Sequence, residues 1–295
     1  MIFADNLSAP EGPVSLPDRS WLVVEMGPDR GCVTHISADG LSRRMIERTG
    51  RPNGLAIDQY GAIWVAESRN PPSLQRIDAQ GQVEIFLTEC RGEPFLFPND
   101  LAIGPDQKLY MTDSGILYED FLINNEVRPD YRTAKLNGKV YAIDVRSKAI
   151  DLIDSELRFA NGIAFGPGGA LYVSESSTGM VYRYRQKNGM IVGDRESFGN
   201  VIDPDQPGGY RGADGMAFGA NGHLYVAVYG QGDVTVLDHN GSVIERIATE
   251  GANPTNVAFG AHSEKRIYVT EIERGAILAF DVPTGGLPLP HTLAY

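Results

Sequence analysis

One phrase recurs along the chain and decides what it can fold into. Asn53-Gly54-Leu55-Ala56-Ile57 precedes Ile63-Trp64-Val65-Ala66-Glu67, and the pattern returns at Asn99-Asp100-Leu101, Asn161-Gly162-Ile163, Asp214-Gly215-Met216 and Thr255-Asn256-Val257. Each copy is followed by a short apolar run, such as Leu109-Tyr110-Met111-Thr112-Asp113 or Leu224-Tyr225-Val226-Ala227. A degenerate copy, Glu11-Gly12-Pro13-Val14 before Trp21-Leu22-Val23-Val24-Glu25, opens the series. The starts at 11, 53, 99, 161, 214 and 255 are separated by 42, 46, 62, 53 and 41 residues. Intervals of this length, filled with short runs and tight turns, describe four-stranded propeller blades.

The predicted fold is therefore all-β: a six-bladed β-propeller with four-stranded antiparallel blades, one domain over residues 1–295. Blade two shows the plan, with strands near 54–58 and 62–67, then Ser73-Leu74-Gln75-Arg76-Ile77 and Val83-Glu84-Ile85-Phe86-Leu87 across an Ala79-Gln80-Gly81 turn. After the last repeat, Ala276-Ile277-Leu278-Ala279-Phe280 supplies a third strand, but Gly285-Gly286-Leu287-Pro288 is a poor fourth. The N-terminal Ile2-Phe3-Ala4 is expected to close the last blade and remove its exposed edge. The 62-residue interval leaves blade three with about 15 to 20 extra residues, too many for a plain connection. They lie at about 115–138, and Tyr118, Glu119, Phe121, Tyr131 and Arg132 among them suit a lid over a pocket.

Equivalent positions of inner strands meet around the axis of a propeller, so register predicts a site. The starts read Glu11, Asn53, Asn99, Asn161, Asp214 and Thr255, six oxygen-bearing side chains without histidine or cysteine. Such a set suits a hard divalent cation of the calcium kind; magnesium, manganese and zinc are alternatives. A second ring, Glu25, Glu67, Asp113, Glu175 and Glu271 with Val228 in the remaining blade, is expected at the same end and to make the mouth negative.

The net charge of −12 argues against binding to nucleic acid or to an anionic membrane. Cys32 and Cys90 form neither a zinc-knuckle spacing nor a disulfide scaffold, and no run of 18 apolar residues occurs, so a soluble cytoplasmic protein is expected. His35, His223, His239, His262 and His291 do not pair with one another and are read as solvated. Ser114 lacks a G-x-S-x-G elbow, which removes a serine-triad mechanism.

Glu11-Gly12-Pro13, Pro98-Asn99-Asp100, Asn161-Gly162 and Asp214-Gly215-Met216 together resemble the senescence-marker-protein/gluconolactonase/luciferin-regenerating-enzyme superfamily of six-bladed propellers, over nearly the whole chain. The resemblance implies that Glu11, Asn161 and Asp214 bind the divalent metal, that Asn99 contacts metal or substrate, and that Asp214 is also the base. It implies a metal-dependent lactonase opening a small sugar-acid lactone. Asn53 from the axial ring and Tyr118 from the insertion are added as candidate substrate contacts. The chain departs from the regucalcin-like pattern at Phe97, where an arginine is expected, so that side of the pocket becomes apolar; Arg51 and Arg211 are candidate replacements. A phosphotriesterase or fluorophosphatase-type hydrolase and a non-catalytic calcium- or protein-binding propeller are the alternatives.

Overall fold

The apolar half of each repeat forms the second strand of a blade, buried on both faces. Trp21–Glu25, Leu109–Asp113 and Leu171–Glu175 are buried throughout, and Ile63–Glu67, Leu224–Tyr229 and Arg266–Glu271 at all but one residue. A strand with a neighbouring blade on either side cannot alternate apolar with polar residues, so it reads as a continuous apolar run. The outermost strands face water and carry charge, as in Arg43–Arg48 and Val243–Ala248.

The computed structural model describes residues 1–123, 126–187, 190–206, 208–261 and 264–288. It contains six four-stranded sheets, and the strands of the first five follow chain order from the axis outward. The inner strands are Pro10–Ser15, Pro52–Ile57, Pro98–Ile103, Ala160–Phe165, Gly212–Phe218 and Pro254–Phe259. Neighbouring inner strands pack on one another around a closed ring, the last against the first. The fold is the six-bladed propeller expected from the repeats.

Closure comes from the N-terminus as expected. Ile2–Ala4 pairs antiparallel with Ala276–Asp281, with Ile2 opposite Leu278 and Ala4 opposite Ile277. The amino terminus donates to the Ala279 carbonyl at 3.0 Å. Phe3 stands edge-on to Tyr268 of blade six at 4.9 Å and to Trp21 of blade one at 6.3 Å, so one ring joins the first blade to the last. Among the described residues beyond Asp281 there is no fourth strand; Gly286 bridges Gly219, and Leu287 donates to the Phe218 carbonyl at 2.8 Å.

Between Asp113 and Gly138 the insertion forms a short helix, Tyr118–Phe121, and a ribbon of Leu122–Ile123 with Glu126–Val127. Phe121, Tyr131 and Leu136 pack with Phe97 and Phe159 in one buried cluster. Glu119 pairs with Arg69 of blade two at 2.5 Å, and the Tyr131 hydroxyl donates to the Gly209 carbonyl, just before blade five, at 3.2 Å. The segment therefore reaches across the ring from blade two to the loop leading into blade five.

Phe3→Ala is expected to destabilise the protein by about 3 kcal/mol, the usual scale for deleting a packed phenyl ring. Denaturant unfolding measures it, and an unchanged midpoint would show that the ring does not depend on this closure.

Candidate active site

Every inner strand is preceded by a loop that turns in toward the axis, and its backbone N–H groups need acceptors in a place water hardly reaches. The second ring of carboxylates provides them. Glu25 accepts from Ser8 N–H at 2.7 Å, Glu67 from Arg51 N–H at 2.5 Å, Glu175 from Arg158 N–H at 2.7 Å and Glu271 from Asn253 N–H at 2.8 Å. Asp113 takes both Leu96 and Phe97 N–H, at 2.8 and 3.2 Å. All five side chains are buried. This corrects the expectation that they make the mouth negative: they face inward and strap the loops that build it. In blade five, where Val228 replaces the carboxylate, Gln231 takes over, accepting from Asp203 N–H at 2.8 Å and donating to the Val201 carbonyl at 3.2 Å.

At the repeat starts, all six pairings of inner with second strand shift register, between Glu11 and Val14, Pro52 and Leu55, Pro98 and Leu101, Ala160 and Ile163, Ala213 and Met216, and Pro254 and Asn256. Such irregularities re-aim side chains. They bring Glu11, Asp100 and Asp214 close enough at the axis to repel one another. Burial, reinforced by Asp100 and Asp214, holds the Glu11 carboxyl well above the ordinary range. Burial, and then Asp100, does the same to Asp214. Burial pushes Asp100 up to about 6, although it accepts from Leu101 N–H at 2.8 Å and Ile163 N–H at 3.3 Å. Asn256 Nδ2 donates to Glu11 Oε2 at 3.4 Å.

Asp100 and Asn256 are the residues that reading the starts alone missed. Their signal lay one position on, where the other four repeats have Gly12, Gly54, Gly162 and Gly215. A methyl group on Gly54 would stand 2.5 Å from Asp100 Cα, and one on Gly215 would stand 1.9 Å from the Asn256 carboxamide, so glycine is required beside each. Thr255, expected in the axial ring, is instead taken up by blade packing: its hydroxyl donates to the Pro10 carbonyl at 3.0 Å and meets Thr270 Oγ1 at 2.8 Å.

The amides of blades three and four are oriented by one device. Asn99 Nδ2 donates to Ser114 Oγ at 3.0 Å, and Ser114 donates to the Ala160 carbonyl of the next blade at 3.0 Å. Asn161 Nδ2 donates to Ser176 Oγ at 3.0 Å, and Ser176 donates to the Ala213 carbonyl at 2.7 Å. With both N–H faces turned to serine, Ser114 has a positioning task rather than a nucleophilic one. Asn161 Oδ1 is left buried without a hydrogen-bond partner beside Asp214, an arrangement that asks for a ligand. Asn53 is buried in the same ring.

These donors fit a hard cation: two carboxylates, a fixed amide oxygen lacking a partner, and a third carboxylate in electrostatic range. Among the described residues no three histidine, cysteine, aspartate or glutamate side chains form a ligating cluster, so a cation held here would need the Asn161 oxygen as well. From the opposite end, a cavity of about 620 Å³ runs up the axis as far as Asp100 and Asn256, without touching Glu11, Asn161 or Asp214.

On the mouth side Phe97 is buried between Tyr118, at 6.0 Å, and Phe159, at 5.6 Å, which makes the apolar wall expected from the sequence. Arg51 lies over the rings of Tyr118 and Phe97, at 4.1 and 5.6 Å from their centroids. Arg211 is not brought there; its Nη1 donates to the Asp203 carbonyl at 2.8 Å. The histidines of the described residues have polar neighbours: His35, half-buried in the strand Cys32–Ile36, meets Ser20, while His223 and His239, at turns, meet Asn221 and Asn240. His262 and His291 lie outside the described residues.

Residues 73–273 match the family described as SMP-30/Gluconolactonase/LRE-like region, and the chain belongs to that family. Among curated relatives it is 28% identical over 134 residues to STRICTOSIDINE SYNTHASE-LIKE 4 of Arabidopsis thaliana, covering 45% of this chain and only 35% of that protein. It is 26% identical to the diisopropyl-fluorophosphatase of Loligo vulgaris, over 80% of this chain and 74% of that one. It is 23% identical to the gluconolactonase of Zymomonas mobilis, over 88% and 75%. Of solved structures, a calcium-binding regucalcin from Agrobacterium tumefaciens superposes with a TM-score of 0.78 at 17% identity, covering 100% of this chain and 96% of the other. A gluconolactonase from Xanthomonas campestris does so at 0.77 and 22%, covering 96% and 89%. At these identities the superpositions establish the fold.

Two measurable consequences follow from the carboxyl groups. Burial pushes Glu67 up to about 7, and its Oε2 has no partner while Oε1 serves the loop. A carboxyl raised in the folded state favours folding most below its unfolded value of about 4.5, and that contribution is lost as pH rises to about 7. Glu67→Gln keeps the accepting oxygen, so its stability relative to wild type should rise across this window by up to roughly 3 kcal/mol and then level off. Urea unfolding at pH 5, 6, 7 and 8 reads this, and parallel curves would refute it. If Glu11 and Asp214 hold a cation they must first lose their raised protons, so calcium binding should weaken as pH falls and should release protons. Calorimetry in buffers of different ionisation enthalpy tests this, and pH-independent binding without proton release would exclude these two ligands.

Proposed function

We propose that the chain is a divalent-metal-dependent hydrolase that opens a small lactone of a sugar acid, acting as a single domain with the 115–138 segment as its lid. The observation that carries this reading is the buried Asn161 Oδ1, fixed by Ser176 and left without a partner beside the protonation-prone Asp214. Glu11, Asn161 and Asp214 would hold the cation, calcium in the first instance, with zinc, manganese or magnesium as alternatives. When bound, the cation would polarise the lactone carbonyl and stabilise the negative charge that grows on its oxygen.

The chain's own residues supply the rest. Asp214, ionised when its neighbours' repulsion is relieved, takes a proton from the attacking water as that oxygen bonds to the carbonyl carbon. The ring C–O bond then breaks, and the proton passes to the departing alkoxide, giving a hydroxy acid. Asp100, buried beneath, keeps the Asp214 proton affinity high and is a positioning residue. Asn99, with its amide locked by Ser114, and Asn53 would meet substrate hydroxyls, while Phe97 and Tyr118 cover its apolar face. The similarity to gluconolactonases supports a lactone, and the unpaired, buried Cys32 and Cys90 support a cytoplasmic setting. Among the described residues no helix is long and apolar enough to cross a membrane. The apolar wall of Phe97, Phe121 and Phe159 also favours a second reading, hydrolysis of a phosphotriester or fluorophosphate.

Proton release from sugar δ- and γ-lactones by chelator-stripped protein, with calcium, manganese, magnesium or zinc restored, tests the reading. Asp214→Asn should lower kcat by about 10²- to 10⁴-fold, the range for losing a positioned base, while thermal unfolding shows the fold intact. Turnover of diisopropyl fluorophosphate but of no lactone would favour the second reading. Full activity of the variant would remove Asp214 from the chemistry.

A further inference from the structure

Two residues before the repeat starts, the six blades present Ala9, Arg51, Phe97, Phe159, Gly212 and Asn253 to the mouth, so Arg51 is the one charged side chain of that ring. Its backbone is fixed, because its N–H is strapped by Glu67 and its carbonyl accepts from Ser68 Oγ at 2.8 Å. Its guanidinium is held between blade and insertion, with Nη1 donating to Ser68 Oγ at 2.8 Å and the charged carbon 4.1 Å from the centre of the Tyr118 ring. A guanidinium has five donors, so these partners leave most of its fork free. Among the described residues no carboxylate forms an ion pair with Arg51, although the chain carries twelve more acids than bases. The neighbouring Arg69, 5.2 Å from the centre of the same tyrosine ring, is paired with Glu119 at 2.5 Å. Glu67 lies within electrostatic range, but its Oε1 is already taken by the N–H groups of Arg51 and Arg69.

A half-buried guanidinium set against aromatic rings and engaged in no ion pair is a site prepared for an oxyanion, since its fork matches carboxylate and phosphate geometry and its surroundings strengthen the attraction. We propose that Arg51 recognises an oxyanion on the substrate remote from the ester, so that the preferred lactones carry a carboxylate or a phosphate in addition to the carbonyl that is attacked. This rests on the hydrolytic reading above and narrows it from sugar lactones in general to anionic ones. The cation held by Glu11, Asn161 and Asp214 would take the ester carbonyl, and the guanidinium at the rim would take the remote oxyanion. The two ends of the substrate are thereby told apart, and the ester is directed to the floor.

The test compares kcat/KM for neutral D-glucono-1,5-lactone with that for D-glucaro-1,4-lactone, which adds a carboxylate, and for 6-phosphoglucono-1,5-lactone, which adds a phosphate. It uses the metal-loaded full chain and its Arg51→Gln and Arg51→Lys variants. At least one anionic lactone should exceed the neutral one by about tenfold or more, mainly through KM, as expected for a charge-assisted hydrogen bond. Which of the two is preferred identifies the oxyanion. In Arg51→Gln the anionic-to-neutral ratio should fall by a similar factor, and Arg51→Lys should restore part of it. If wild type hydrolyses the neutral lactone best, or if Arg51→Gln lowers all substrates equally, the proposal is overturned while the hydrolytic reading stands. If no lactone is turned over, that reading fails instead, and calorimetry with glucarate and 6-phosphogluconate decides this one separately. Binding of either that is lost in Arg51→Gln upholds the oxyanion site, and absence of binding by wild type overturns it.

Discussion

The buried carboxylate that ends a second strand and accepts the N–H groups of the incoming loop is the interaction on which the site depends. Without it, the loop could reach the axis only by leaving backbone donors unsatisfied where they are buried. The straps act on the residues that make the mouth: Glu67 holds Arg51, Asp113 holds Phe97, and Glu175 holds Arg158 one residue before Phe159. The wall of the pocket is set by acids that never face it. Asp113 shows what this asks of the protein, since burial raises its carboxyl while N–H bonds from Gly115, Leu96 and Phe97 draw it back.

Sixfold repetition supplies equivalent places, and the chemistry arises where equivalence is broken. Around the axis the acids Glu11, Asp100 and Asp214 belong to blades one, three and five, and the amides Asn53, Asn161 and Asn256 to blades two, four and six. Alternation keeps each carboxylate from having another as its immediate neighbour, yet lets all three act on one central point. That separation moderates the repulsion evident in the raised carboxyl groups of Glu11 and Asp214 without abolishing it. A bound cation would remove the remainder, so the acids that make the empty arrangement unfavourable are those that would make it selective for a divalent ion.

The blades, their closure by Ile2–Ala4 and the position of the insertion were legible because each rests on local signals: turn residues, apolar runs and a repeat length. The starts Glu11, Asn99, Asn161 and Asp214 were legible because register maps onto the axis. Asp100, Asn256 and the destiny of Thr255 were not, since a bulge lets one blade aim its second residue inward while another spends its first on packing. The role of the second carboxylate ring was hidden for a related reason. Sequence shows that Glu67 and its equivalents recur, but recurrence alone does not tell a lining acid from one consumed by backbone N–H groups.

Asp100 and Asn256 also divide the channel. They come from opposite blades and approach one another across the axis, while Gly54 and Gly215 make room for them. The cavity on the far side reaches this pair and does not touch Glu11, Asn161 or Asp214. Buried carboxylates keep a stronger mutual field than exposed ones, because fewer waters screen them. On the mouth side the rim opposes that field with Arg51, set against Phe97 and Tyr118. Acidic floor, apolar wall and basic rim thus differ in polarity. A ligand whose polarity runs the other way is oriented before any bond to it is made or broken.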